Sequence, residues 1–198
     1  LAQSIEPSRL SIDFSVDDVA MAKALHQNGF AGPLMKADGR PSHGQGLSDG
    51  QELGVVLADA KIKLEKLKFL DDAARAVSVT LSASQQMFPT LAKFRAMRIL
   101  WKQYFGEAPL ALHAETSLAM MADVDAHTNI LRSVAAVFGA GLGGADSISV
   151  LPFSIQQGVP NAFARRVARN LQMMLLHESH LWRVDDAAAG AGHIEMLT

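Results

Sequence analysis

The chain has 198 residues, a mass of 21.2 kDa, 49% hydrophobic and 19% charged residues, which suits one folded domain, or little more, with a sizeable core. Lys+Arg 18 against Asp+Glu 20 gives a formal net charge of -2, so no basic field invites nucleic acid or an anionic membrane. With no cysteine there is no disulfide, no thiolate nucleophile and no Cys-based zinc site, and no apolar run reaches the roughly 18–20 residues of a membrane span.

In chain order, residues 10–14 (LSIDF), 33–38 (PLMKAD), 77–83 (VSVTLSA), 110–115 (LALHAE) and 147–152 (SISVLP) are apolar or alternating and read as strands. Amphipathic helical patterns lie between and after them at 16–28, 48–70, 85–105, 124–138 and 161–180. Ser48 is a candidate cap, with Glu52 one position beyond the capping-box place, and Asn161 after Pro160 is a second cap. Strands separated by helical crossovers predict a parallel sheet covered by helices, an α/β fold. Five strands fit an open doubly wound sheet or part of an eight-stranded barrel, and periodicity alone does not choose.

The segment 139–144 (GAGLGG) matches a dinucleotide-type glycine pattern, but the helix precedes it and the strand follows. The order is reversed, so the glycines read as a helix end and a tight turn into a strand. His177 and His180 stand three apart with no evident third ligand, which predicts no metal site. The residues 165–169 (RRVAR) read as a helix face paired with acids.

The group His113, Glu115, Thr116, Ser117 lies at the C-terminal end of a predicted strand, where barrels and open sheets place their sites. Alternation puts His113 and Glu115 on one side of that strand. They either face a substrate, with the imidazole donating to a carbonyl or moving protons, or form a buried polar pair. His43 and Arg40 sit in the segment 39–46 (GRPSHGQG), read as a loop after a strand that faces an anionic ligand or solvent.

Three stretches carry a resemblance: 91–101 (LAKFRAMRILW), 113–117 (HAETS) and 143–170 (GGADSISVLPFSIQQGVPNAFARRVARN), the last continuing through Glu178-Ser179 and Arg183-Val184-Asp185. In these the chain resembles the methylmalonyl-CoA mutase family. The resemblance implies a partial TIM (β/α)8 barrel, with residues 1–198 as its C-terminal part and the five runs as its last five strands. It makes the chain a fragment, in keeping with a start at Leu1 rather than Met. It also implies that the assembled enzyme uses adenosylcobalamin to interconvert methylmalonyl-CoA and succinyl-CoA. No Asp-x-His-x-x-Gly appears in these residues, so no cobalamin-binding domain is expected here and no cofactor bound by this segment alone.

By the same resemblance His113 is the catalytic candidate, contacting the thioester carbonyl, and His43, Glu115, Ser117 and Ser149 are substrate-binding candidates. The departures are specific. The family's usual Gln is Glu115, which when ionised only accepts hydrogen bonds. A Gly-Tyr-His-Met-Gln loop reads Gly39-Arg40-Pro41-Ser42-His43, a Ser-Leu-His-Thr-Asn run reads Ser147-Ile148-Ser149-Val150-Leu151, and the Glu before Ala-Lys is Thr90. Such changes resemble the small, non-catalytic subunit of heterodimeric mutases. The expected partners are therefore a catalytic mutase subunit or, for the segment alone, a second copy covering its open edges, with acyl-CoA as a possible ligand. A divergent but competent barrel with another acyl-CoA preference is the alternative. A cytoplasmic location is expected from the lack of a signal segment or apolar span.

Overall fold

The computed structural model describes residues 6–10 and 12–198. Strands β1 (Met35–Asp38), β2 (Val77–Ala83), β3 (Ala111–Thr116) and β4 (Ser147–Ser149) form one parallel sheet in the order β1-β2-β3-β4. The helices are α1 (Val19–Gln27), α2 (Arg40–Gly44), α3 (Asp49–Lys66), α4 (Met87–Phe105), α5 (Thr128–Leu142), α6 (Ala162–His177) and α7 (Gly192–Leu197). Each crossover moves to the adjacent strand in the same direction, so right-handed connections put the crossover helices on one face. That is the arc of a (β/α) barrel. The reversal in strand order that an open doubly wound sheet requires is not found among these strands.

The described residues contain four strands, not the expected five. Of the run 10–14, Ser11 lies outside the described residues, and Ile12 to Phe14 belongs to no strand. The N–H groups of Phe14 and Val16 do reach the carbonyls of Pro33 and Leu34, at 3.0 and 2.8 Å, just before β1 begins. A ladder fails there for two reasons. Pro33 has no N–H to return, and Gly32 lets the chain approach so closely that a Cβ would stand 2.2 Å from the Ile12 carbonyl oxygen. At the other end β4 stops at Ser149, because the Leu151 N–H turns to Thr116 Oγ1 at 2.8 Å.

The sheet has two unlike faces. Met35, Ala37, Val77, Val79, Leu81, Leu112 and Ala114 face the helices and are buried with Leu53, Val56 and Ala60 of α3 and Phe94, Met97 and Trp101 of α4. The opposite face carries Lys36, Asp38, Ser78, Thr80, Ser82, His113, Glu115, Ser147 and Ser149, by the period-two alternation of paired strands. In a barrel this polar face is the interior.

Three basic residues of α4 tie it to three neighbours. Lys93 pairs with Glu52 and Asp49 of α3. Arg95 grips Asp186 and Glu195, holding α7. Arg98 donates to the Gly144 carbonyl and to Asp146 Oδ1 at 2.8 Å, fixing the turn into β4. The glycine-rich segment has a larger role than the expected turn. Gly139 and Gly141 lie inside α5, and only Gly143 and Gly144 end it, Gly144 with φ +91°. A Cβ on Gly139 would meet the Met87 carbonyl oxygen at 2.7 Å, and one on Gly143 the Leu91 carbonyl oxygen at 2.7 Å. These glycines let α5 press directly onto the backbone of α4.

Candidate active site at the strand C-termini

The C-terminal ends of β1, β2 and β3 open into a cavity of about 340 Å³ lined by Arg40, His43, Ser82, Glu115, Ser117 and Leu118, among others. The segment 39–46, expected as a loop, begins with α2, and this short helix carries Arg40 and His43 over the strand ends. Arg40 is held rather than free. Its Nε donates to Asp38 Oδ1 at 2.9 Å, its Nη2 to Asp38 Oδ2 at 2.6 Å, and its Nη1 to Glu115 Oε2 at 2.9 Å. Burial opposes ionisation of Asp38, but the hydrogen bonds and charge of Arg40 outweigh it and hold the carboxyl below its ordinary range. The same bonds, that to Asp38 foremost, raise the pKa of Arg40.

His113 lies one pair down β3 from Glu115, on the same face. Its Nδ1 is 2.7 Å from Ser147 Oγ and its Nε2 is 3.0 Å from Ser149 Oγ, so two hydroxyls of β4 clamp both ring nitrogens. A neutral ring serves this clamp, one nitrogen donating and the other accepting. Burial foremost, and then the charge of Lys36, depress the pKa of His113 below the usual histidine value, while Glu115 opposes them. An NMR titration of His113 is therefore expected to show a midpoint below about 6.5. The sign for stability follows. Below that value the unfolded chain takes up a proton that the folded chain resists, so this contribution weakens as pH falls. A midpoint above 6.5 would contradict the clamped neutral ring.

The structure thus brings His113 to Ser149, and Glu115 to the cavity with His43 and Ser117. It does not place His113 or Ser149 in that cavity's lining. Ser117 is buried, and its Oγ accepts from the Ala119 N–H, capping the turn after β3. His43 Nδ1 stands 3.5 Å from Glu52 Oε2, at the outer limit of hydrogen bonding, with no closer partner among the described residues.

Glu52 is the site residue that sequence reasoning missed. Ser48 makes its capping box with Gln51, whose Oε1 accepts from the Ser48 N–H at 2.9 Å. Glu52 is thereby free to turn inward, where it is 0% exposed. Its Oε1 accepts from the Ser82 N–H at 2.9 Å, and its Oε2 from Lys93 Nζ at 2.8 Å. Burial opposes its ionisation, yet His43, Lys93 and the Ser82 N–H together depress its pKa. Gly39 is small for this reason, since a Cβ there would lie 2.7 Å from Glu52 Oε1. His43, Asp49 and Glu52 bring ligand atoms within 4.8 Å of one another, but Lys93 Nζ already sits 2.8 Å from both carboxylates, where a cation would have to be. The signal in the sequence was a charge pair on two helices, which helical periodicity reads as two solvated faces.

The remaining expectations fall away from this site. His177 ends α6, and His180 adopts a left-handed backbone beside Trp182. Arg165, Arg166 and Arg169 lie on the exposed face of α6, and none makes an ion pair among the described residues, contrary to the expected pairing with acids. Arg166 instead lies over the Phe163 ring.

A singly wound parallel sheet with a polar inner face and its side-chain chemistry at the strand C-termini is the architecture of a barrel-type enzyme domain. The methylmalonyl-CoA mutase family profile matches residues 33–198. The chain belongs to this family. It is similar to the methylmalonyl-CoA mutase small subunit of Streptomyces virginiae, at 42% identity over 83% of this chain and 28% of the relative. It is also similar to a Mycobacterium bovis protein named "Probable methylmalonyl-CoA mutase small subunit", at 41% identity over 81% of this chain and 29% of the relative. The methylmalonyl-CoA mutase of Rhizobium meliloti is 32% identical over 75% of this chain and 22% of its own length. The chain therefore spans less than a third of the curated relatives it matches.

Proposed function

We propose that this chain is a barrel segment of a methylmalonyl-CoA mutase small subunit, which supports a catalytic partner rather than turning over substrate. The parent assembly would carry out the adenosylcobalamin-dependent interconversion of methylmalonyl-CoA and succinyl-CoA. The observation that carries this reading is that Arg40, His113 and Glu52 are held by protein partners rather than standing open to a substrate. Arg40 is spent on Asp38 and Glu115, His113 on two serines, and Glu52 on Lys93, His43 and the Ser82 N–H. A catalytic site leaves donors free for charge that develops on the substrate. Here the guanidinium of Arg40 and the ring of His113 are turned to protein partners instead.

Cobalamin is not fitted by these residues. The nearest approach to the lower-ligand pattern, Asp125-Ala126-His127-Thr128-Asn129-Ile130, lacks its closing glycine. The His127 ring, moreover, lies 4.9 Å from that of Phe153, tilted by 33°. These residues therefore do not supply the cofactor's lower ligand. Among the described residues no helix is long and apolar enough to cross a membrane.

The test is co-expression of the full-length protein with the catalytic mutase chain from the same genome. A stable heterodimer is expected, with turnover abolished by disabling the partner's site alone. A full-length protein that stays apart from that partner, or that isomerises methylmalonyl-CoA unaided, would overturn the reading.

A further inference from the structure

We infer that Arg40 is a built-in stopper of the barrel interior, and that its strap across β2 is what keeps an acyl thioester out of this chain. This deepens the proposed function and rests on it for the class of ligand. The geometry begins with register. Asp38, Thr80, His113 and Ser147 are cross-strand neighbours on the inner face, and Ser82, Glu115 and Ser149 form the next rank. Asp38 belongs to β1 and Glu115 to β3, two strand spacings apart, or about 10 Å. A single guanidinium bonded to both must pass over the intervening end of β2.

The burial of β2 fits this strap. The inner face of a four-stranded arc would be expected to stand open, as Ser147 of β4 does. Yet Thr80 is 0% exposed and Ser82 3%, and Thr80 Oγ1 has no hydrogen-bond partner among the described residues. At the other end of the same strand, Ser78 Oγ donates to Asp13 Oδ2 at 2.6 Å. Charged side chains of this chain thus stand at both ends of that face, Asp13 bonded to Ser78 and Arg40 lining the same cavity as Ser82.

The strap is also built to last. Arg40 is pinned by a fork of bonds to Asp38 and a charge-assisted bond to Glu115, the strong kind of hydrogen bond. Pro41 sets the first turn of α2, so the segment holding Arg40 is stiff where it leaves β1. A thioester entering along the inner face would have to break these bonds and leave Asp38 and Glu115 with unpaired charge, beside an acyl group that is itself anionic. Arg40 is thus a specificity residue by exclusion.

Removing Arg40 alone would leave two unpaired carboxylates, so the informative variant combines Arg40→Ala with Glu115→Gln, which leaves only Asp38, at the β1 end of the strap, charged. The probe is methylmalonyl-CoA, titrated calorimetrically into the full-length protein without its catalytic partner. The wild type is expected to give no saturable binding. The double variant should bind at least about tenfold more tightly than the wild-type limit, the scale of one or two charge-assisted bonds. Glu115→Gln alone removes the charge at one end of the strap while its amide oxygen can still accept from Arg40, and should fall between the two; it keeps the test open should the double variant fail to fold. Wild-type binding as tight as that of the variants would overturn both the stopper and the non-catalytic reading. Folded variants that bind no better than a non-binding wild type, in a protein that still pairs with active mutase, would overturn the stopper alone.

Discussion

Replacing Glu52 by alanine is expected to cost about 3–5 kcal/mol of folding stability, the scale for breaking a buried ion pair. The carboxylate is fully buried and ties α3 to three elements: the end of β2 through the Ser82 N–H, α4 through Lys93, and α2 through His43. Its loss leaves the nearly fully buried Lys93 with Asp49 alone, and Asp49 is partly exposed and screened. Glu52→Gln keeps the acceptor for Ser82 and should lose less, about 1–3 kcal/mol. The two variants also differ from the wild type in their response to acid. The folded pKa of Glu52 lies below its ordinary 4.5, so its contribution is present above that value and lost as pH falls through the lowered one. Urea denaturation across pH 3 to 7 should show a flatter acid limb in Glu52→Gln. A loss under about 1 kcal/mol in Glu52→Ala, with an unchanged acid limb, would mean that the network carries little.

Replacing Asn129 by leucine should cost about 3 kcal/mol or more, because three backbone groups lose their partner at once. Asn129, at the start of α5, is 0% exposed. Its Oδ1 accepts from the Ala122 N–H at 2.9 Å, and its Nδ2 donates to the carbonyls of Ala122 and Phe153, both at 2.8 Å. The Ala122 loop follows β3 and the Phe153 loop follows β4, so one amide binds together the two loops beyond those strand ends. Hydrogen exchange at the Ala122 amide should accelerate strongly in the variant. Unchanged protection there would show that the loops hold each other without Asn129.

The five longer helices and the four strands of the sheet were legible because their periods are unambiguous, whereas the short α2 and α7 were not. The run 77–83 is apolar enough to be a buried strand in any setting, and α4 and α6 carry long amphipathic patterns. The run 10–14 misled because alternation reports an extended chain, and pairing depends also on what Gly32 and Pro33 offer opposite it. His113 and Glu115 were legible as partners on one face, since strand alternation is strict. Their different fates were not. That Glu115 is claimed by Arg40 and His113 by Ser147 and Ser149 depends on which strands become neighbours, a fact of topology that no local pattern holds. Glu52 and Asn129 were hidden for the same reason. Each lies in the first turn of a helix, where a polar residue is ordinary, and each is made important by a loop or helix distant in sequence.

The most direct measurement is a crystal structure of the full-length protein with its catalytic partner, grown in methylmalonyl-CoA. The account predicts acyl-CoA in the partner's barrel only, with Arg40 bridging Asp38 and Glu115 in this one. Acyl-CoA threaded through this chain's barrel, with Arg40 swung away and His113 released from Ser147 and Ser149, would contradict it.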